Sequence, residues 1–399
     1  MAGPLAGIKV VELGVWVAGP SCAGILADWG ADVVKIEPPE GDPFRGLFAS
    51  LLDIPMNPPF ELDNRNKRSV AVNLATDAGL AIARTLVDEA DVFVSNMRPR
   101  VLAKYGLDYD ASAARNPRIV YAQVNGYGPD GEEANRAAYD VGAFWSRGGV
   151  AASLMANNEG EPPQQRGGMG DHMTGQAAAG AISAALYNRE KTGKGQRLAV
   201  SLIRIGAYMM GWDLNSQLRM GQLGAPYDRH HAVNPIINSF HDRDGKWFWL
   251  LLLQADRHWP DLLRALGSEE LGHDERFKSI QSRMMNNTAL VEELDRILTS
   301  KTLAEWGPVF DRENVWYAPV NTIAEVADDP VAKAAGAFVE LESPQGIARQ
   351  VATPAEFYGT PIEHRNWAPE LGQNTEEVLL ELGYDWDKIA ALKDAGAIL

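Results

Sequence analysis

The nine residues Gly167-Gly168-Met169-Gly170-Asp171-His172-Met173-Thr174-Gly175 hold the most informative concentration of chemistry in the chain. Three glycines leave the backbone around Asp171 open to close approach. A helix rich in small residues is predicted from Thr174 to Glu190, so Asp171 stands where it begins. That placement reads in two ways. In one, Asp171 is a plain N-cap. In the other, the positive end of the helix keeps the carboxylate ionised, hence nucleophilic, at neutral pH. Nearby backbone N–H groups would then stabilise an oxyanion. His172 is adjacent and would point elsewhere on a helix, which suits a structural role better than that of a base.

A second concentration is cationic. Asn64-Arg65-Asn66-Lys67-Arg68-Ser69 carries three cations, and Arg98, Arg100 and Lys104 follow the apolar run Val92–Val94, with Asn96 at its carboxyl end. The phosphates of a nucleotide-like ligand need such donors. The alternative is a solvated basic face paired with surplus carboxylates. Other chemistries find no support. Residues 14–20 match neither G-x-G-x-x-G nor the phosphate-loop motif. They read as a tight strand-to-helix turn, or as a ligand position of an open α/β sheet. His230-His231 lacks partners at metal-ligand spacing, so no metal site is expected. No serine occupies a G-x-S-x-G elbow.

The elements that must position these residues alternate. Strands are predicted at Ile8–Leu13, Asp32–Ile36, Val92–Val94, Ile119–Gln123 and Gln196–Val200. Ser21 is a plausible N-cap for a helix ending at Trp29, and an amphipathic helix is predicted from Asp77 to Glu89. Strands separated by helices imply βαβ units, a parallel sheet and the α/β class. Ile203 to Gln222 reads as one further helix, with Met209, Met210 and Trp212 as buried candidates. Beyond Gly224 the pattern changes. A turn at Asp242–Gly245, an apolar strand at Trp247–Leu253, and helices at Trp259–Leu266, Leu290–Leu298 and Leu303–Phe310 suggest a smaller α+β domain over 225–320. The remainder, 321–399, mixes short strands and proline breaks before helices at Thr375–Leu382 and Trp386–Ala395.

Composition narrows the function classes. The chain has 399 residues, 46% of them apolar, which is ample for a large core without disulfide or metal staples. Its 37 basic and 53 acidic residues leave a net charge of −16. The long-range field would repel nucleic acid and anionic membranes, so neither partner is expected and any phosphate site must be a local basic pocket. A single cysteine, Cys22, excludes an intrachain disulfide and fits a cytoplasmic location. The first residues carry no signal-peptide pattern, and no window approaches a membrane span.

Several segments together resemble the class III coenzyme A transferases, a family that includes formyl-CoA transferase, the carnitine-related CoA transferases and the α-methylacyl-CoA racemases. They are Pro4–Val10, Ala18-Gly19-Pro20, Gly30–Glu37, Asn66–Ser69, Asn96–Pro99, Gly126-Tyr127-Gly128 and Asn188–Gln196. The resemblance runs nearly end to end. It implies a Rossmann-like large domain of residues 1–200 and 321–399, a linker helix at 201–224, and the small domain at 225–320, in an interlocked homodimer. It implies acyl-CoA and a carboxylic acid as substrates, with no prosthetic group. Asp171 aligns with the family's nucleophile, which would form an aspartyl anhydride and then an aspartyl-CoA thioester. Val17, Val72, Asn73, Asn96, Met97, Arg98 and Lys104 would line the CoA groove, and Tyr139 would lie near the thioester. Pro38 and Ala137 stand where some relatives have cations, with Arg45 and Arg136 as candidate substitutes. The glycine-rich lid of formyl-CoA transferase is missing; residues 228–235 occupy that region.

Two other readings stay open at this stage. One is the racemase chemistry of the same fold, although the racemases' histidine position is Tyr139 here. The other is a non-catalytic CoA-binding protein. Trp16, Phe144, Trp145, Met169 and Tyr208 are candidates for an apolar acyl site and equally for core.

Overall fold

The computed structural model of the chain describes residues 3–54, 56–155, 160–221 and 228–399. The chain divides into two compact units, one of Met1–Ser153, Pro163–Asn215 and Lys333–Leu399, the other of Leu154–Pro162 and Ser216–Ala332. The junction expected at Gly224 and Ala225 lies outside the described residues. The larger unit is re-entered at Lys333 rather than at 321. Residues up to Glu325 are held to the smaller unit, where Val320 N–H donates to Trp247 O and Lys246 Nζ pairs with Glu325 at 2.6 Å.

The larger unit is built on a six-stranded sheet: β1 (Lys9–Leu13), β2 (Asp32–Glu37), β3 (Lys67–Ala71), β4 (Val92–Ser95), β5 (Val120–Asn125) and β6 (Gln196–Ser201). The order is β3-β2-β1-β4-β5-β6 and every pairing is parallel. The chain winds outward from β1 to β3, then crosses to β4 and winds the other way. In such sheets ligands bind at the reversal, outside the carboxyl ends of the two central strands. Here those strands are β1 and β4.

Side chains alternate between the two faces, as the strand period requires. Val10, Val33, Val92, Val94 and Val120 pack against the helices Ala18–Asp28 and Met169–Thr192. Val11, Leu13, Val34, Phe93 and Tyr121 face the other way, in a core that includes residues of the helix Asp77–Glu89. The C-terminal helices Thr375–Glu381 and Trp386–Asp394 close that side with Val378, Leu379 and Ile389. The last residues therefore belong to the same core as the first.

Three local expectations are corrected. The first helix begins at Ala18, with Ser21 inside it and its hydroxyl donating to Ala18 O. Proline is tolerated in a first turn because no intrahelical N–H bond is lost there, so Pro20 sits within the helix rather than before it. β3 falls within the cationic run 64–69, where no strand was expected; its Lys67 and Arg68 pair with Glu12 of β1 and Asp32 of β2. The segment after β6 forms two helices, Leu202–Met209 and Gly211–Met220, with Met210 capping the first. Met209 and Trp212 are exposed, not buried.

In the smaller unit, β7 (Ile237–His241), β8 (Trp247–Leu251) and β9 (Tyr317–Pro319) form an antiparallel sheet in the order β7-β8-β9. Phe248 and Leu250 join a core with Trp259, Leu262, Leu290 and Phe310. Trp247, Trp249 and Leu251 project from the opposite face and are about 40% exposed. A two-stranded hairpin, β10 (Phe338–Ser343) and β11 (Gly346–Val351), belongs to the larger unit.

Candidate active site

The loop between β1 and the first helix is built from beneath. Glu12, fully buried near the carboxyl end of β1, binds Lys35 Nζ at 2.7 Å and Lys67 Nζ at 2.6 Å. Lys35 also donates to Gly14 O at 3.0 Å and pairs with Asp42 at 3.0 Å. Lys67 donates to Pro20 O at 2.8 Å. One carboxylate thus ties both ends of the loop to β2 and β3. Burial works against ionised Glu12, yet the two ammonium groups outweigh it and hold its carboxyl below the usual range.

The cationic cluster 64–69 is consumed the same way. Arg65 pairs with Asp28 at 2.7 Å, and Arg68 with Asp32 at 2.7 Å and Glu381 at 2.8 Å. It is neither a phosphate cradle nor a solvated face. Its cations join β3, the first helix and the C-terminal helices.

Asn96, just past β4, accepts from Val15 N–H at 3.0 Å and donates back to Val15 O at 2.7 Å. The carboxyl ends of β1 and β4 are stitched together at the reversal point. Trp16 adopts φ +65°, and its N–H donates to Asp42 Oδ1 at 3.1 Å. Its ring meets Phe44 at 6.0 Å between centroids and stands edge-on to Tyr139 at 5.7 Å.

The long helix runs from Met169 to Thr192, capped by Gly168 at φ +77°. Asp171 is therefore the third residue of the helix and not its N-cap. The helix starts five residues earlier than the small-residue pattern suggests, because Gly168 supplies the left-handed turn. Gly170 lies directly on the Phe144 ring, where a Cβ would come within 2.5 Å of it. Phe144 and Trp145 are core beneath this turn, while Tyr208 is exposed. Among the described residues no hydrogen bond engages the Asp171 carboxylate.

The electrostatics correct the expectation that the helix end keeps Asp171 well ionised. Burial first, then the charges of Asp140 and Asp63, push its carboxyl up to about 7. His172 opposes them. Its Nε2 lies 3.0 Å from Oδ1 of Asp63, which is 3% exposed and whose Oδ2 has no hydrogen-bond partner among the described residues. Burial alone would lower the imidazole, but the Asp63 hydrogen bond and charge outweigh it and raise it. An imidazole biased towards its protonated form therefore sits beside a carboxylate crowded by two others. Sequence spacing missed Asp63 and Asp140 because neither lies near Asp171 in the chain. Behind His172, a cavity of about 280 Å³ is lined by Ile25, Leu62, Met173, Val351 and Pro354.

The other expected site residues fall into two sets. Val17 caps the first helix, and its Cγ1 is 3.8 Å from the point where a side chain on Gly168 would begin. Asn96, Met97 and Arg98 follow β4; Met97 packs against the core and Arg98 caps the helix Pro99–Tyr105. Tyr139 is 61% exposed and precedes Asp140. Val17 is thereby brought to the foot of the long helix, Tyr139 against the Trp16 ring, and Asn96 to the loop at the sheet's reversal. Val72 and Asn73 follow β3, where Val72 is buried in a bridge with Ile398 and Asn73 Nδ2 donates to Gly396 O at 3.1 Å. Lys104 lies 5.7 Å over the Tyr105 ring. Arg136 and Arg147 both pair with Glu133. Arg45 is committed to Glu37 at 2.6 Å and Pro369 O at 2.9 Å, so it is not a free replacement for a missing cation. Among the described residues no group of three His, Cys, Asp or Glu could hold a metal ion, and no helix is long and apolar enough to cross a membrane.

Known proteins resemble this chain over nearly its whole length. Residues 5–375 match the family described as CoA-transferase family III. The chain is 34% identical over 400 residues to (R)-2-hydroxy-4-methylpentanoate CoA-transferase of Clostridioides difficile, covering 99% of each chain. It is 32% identical over 393 residues to cinnamoyl-CoA:phenyllactate CoA-transferase of Clostridium sporogenes, covering 97% of this chain and 95% of the relative. A crystal structure of a CAIB/BAIF family protein from Brucella suis superposes with a TM-score of 0.83 at 31% identity, over 96% of this chain and all of that one.

Proposed function

The chain belongs to CoA-transferase family III and is an enzyme of that class, and we propose that it moves coenzyme A from an acyl-CoA to a carboxylic acid through covalent intermediates on Asp171. The observation that carries this reading is the Asp171 carboxylate itself. It is partly desolvated, without a hydrogen-bond partner among the described residues, and set in a first turn whose amides have no intrahelical partner. Desolvation raises the ground-state energy of the anion, which makes it a better nucleophile. Cys22 does not compete, since burial and the Glu12 charge keep it a thiol.

The steps balance without a redox or phosphoryl partner. An Asp171 oxygen attacks the thioester carbonyl, the C–S bond breaks, and CoA thiolate leaves a mixed anhydride. The thiolate attacks the aspartyl carbonyl, releasing the donor acid and leaving aspartyl-CoA. The acceptor carboxylate attacks that thioester and expels CoA again. The thiolate then takes the acceptor acyl group from the second anhydride and Asp171 returns as carboxylate. First-turn N–H groups would face the developing oxyanions, and His172, when protonated, favours ionised Asp171.

The CoA would lie at the carboxyl ends of β1, β3 and β4, along Val17, Val72, Asn73, Asn96, Met97, Arg98 and Lys104. Arg136 would reach a phosphate on release from Glu133, and Tyr139 would stand at the thioester. Two relatives are named for a branched 2-hydroxy acid and for phenyllactate; the aromatic corner of Trp16, Phe44 and Tyr139 supports an apolar acid here too. An interlocked homodimer would cover the exposed Tyr208, Trp212 and Leu218. A cytoplasmic location completes the reading. Proton abstraction next to the thioester finds less support. It needs bases on both faces of the carbon, and His172 is tied to Asp63 on the same turn as Asp171.

A screen of acyl-CoA donors against carboxylic acids, read by mass spectrometry, tests the proposal. Asp171→Ala should retain the fold and CoA binding while losing exchange. Full exchange in that variant, or deuterium uptake from heavy water at the α-carbon without any acceptor acid, would defeat it.

A further inference from the structure

Trp16 holds a backbone conformation that L side chains avoid. At φ +65° a bulky residue is an outlier, and glycine would adopt the same turn without strain. Yet the chain places its largest side chain there. Strained residues persist where their surroundings over-determine them, and they concentrate at functional sites. The surroundings here are specific. The Trp16 N–H is held by Asp42 Oδ1 at 3.1 Å, and Asp42 is buried and anchored by Lys35 at 3.0 Å. The preceding residue, Val15, is clamped on both sides by Asn96. Phe44 backs the ring at 6.0 Å, and Tyr139 stands against it at an interplanar angle of 88°.

The conformation fixes where the indole stands. Its chain neighbour Val17 is beside Gly168 at the foot of the long helix. Its ring neighbour Tyr139 precedes Asp140, whose charge acts on Asp171. Unlike Phe144 and Trp145, the Trp16 ring is only half-buried. A strained, rigidly backed and partly open aromatic face thus stands between the two segments that flank the nucleophile.

We propose that Trp16, backed by Phe44 and flanked by Tyr139, is the specificity-determining wall of the acyl site, selecting branched-aliphatic and aromatic acids over acetate. The inference rests on the transferase reading and narrows its substrate class. The buried Glu12–Lys35–Asp42 network acts through the loop and holds the wall in place.

The test uses the full chain with acetyl-CoA as donor and acetate, 4-methylpentanoate and 3-phenylpropanoate as acceptors. Exchange into labelled acetate reports the small acid. In wild type, kcat/KM for the two bulky acids should exceed that for acetate. Trp16→Gly removes the ring and relieves the backbone, so its melting temperature should not fall below that of Trp16→Ala. Both variants should lose at least about tenfold in kcat/KM for the bulky acids while acetate changes by less than about threefold. Trp16→Phe should recover most of the preference. An equal loss for all acids would show a merely structural role and overturn the proposal. So would unchanged selectivity in Trp16→Gly, or selectivity that responds instead to Leu62→Trp in the cavity behind His172. Wild type that transfers CoA to every acid without preference defeats the wall alone. Wild type that transfers CoA to none defeats the transferase reading with it.

Discussion

Replacing Asp171 by asparagine should stabilise the protein while abolishing its chemistry. In the folded chain the carboxyl is pushed from 3.8 to about 7, by burial first and by Asp140 and Asp63 next. A raised carboxyl means that the native state binds its proton more tightly than the unfolded chain does. Stability then falls as pH rises between about 4 and 7, and the full penalty is present above 7. At 1.36 kcal/mol per pH unit the shift corresponds to about 4 kcal/mol, an upper value because the reference unfolded chain is not featureless. Asparagine keeps the shape without the charge, so the variant should gain up to this amount at pH 8. For the larger unit the gain is a rise of roughly 7 °C in melting temperature. At pH 4 the carboxyl is protonated in the folded chain and only partly so in the unfolded one, so the gain should shrink to less than about 1 kcal/mol. The assay is calorimetric melting of both proteins across that pH range, at equal protein concentration. A variant less stable than wild type at pH 8, or a gain of equal size at both pH values, would refute the electrostatic account.

Three further outcomes follow from the same geometry. The acid limb of kcat/KM should lie near pH 7 in wild type, move down in Asp140→Asn, and move up in His172→Gln, because Asp140 disfavours and His172 favours ionised Asp171; a pH–rate series reads all three, and a common limb would contradict the assignment. Glu12→Gln leaves two buried ammonium groups short of their shared counter-charge and should cost about 3–5 kcal/mol at neutral pH. Because the Glu12 carboxyl is lowered in the fold, that difference should shrink as the pH falls below about 4, which acid-range denaturant titrations of both proteins would show. Gly170→Ala drives a methyl group into the Phe144 ring and should destabilise by about 1–3 kcal/mol while lowering kcat, measured by melting and by turnover.

What the sequence revealed and what it hid have physical reasons. β1, β2, β4 and β5 were legible because strands buried on both faces read as runs of Val, Ile and Leu. β3 was not, because Lys67 reads as a solvated cation until Glu12, which lies 55 residues earlier in the chain, is brought against it. A glutamate inside Val10-Val11-Glu12-Leu13 and a lysine inside Val33-Val34-Lys35-Ile36 were the available signals, since charges inside apolar strands require partners. The place of Asp171 in the first turn of the long helix was legible through its glycines, which mark a place where backbone and ring must approach closely. Its ionisation state was not, because Asp140 and Asp63 reach it only through the fold. His172 looked like a bystander for the same reason, its partner Asp63 being 109 residues away.

The most direct test of the account follows the oxygens. The enzyme is incubated with an acyl-CoA and a carboxylic acid labelled with heavy oxygen in both carboxylate positions. It is then digested, and the peptide containing Asp171 is weighed. If the acceptor attacks an aspartyl-CoA thioester and CoA resolves the resulting anhydride, one labelled oxygen remains on Asp171 after each first turnover. The account predicts that label in this peptide, dependent on both substrates and absent from Asp171→Asn. Transfer of CoA with no label on Asp171 would contradict it.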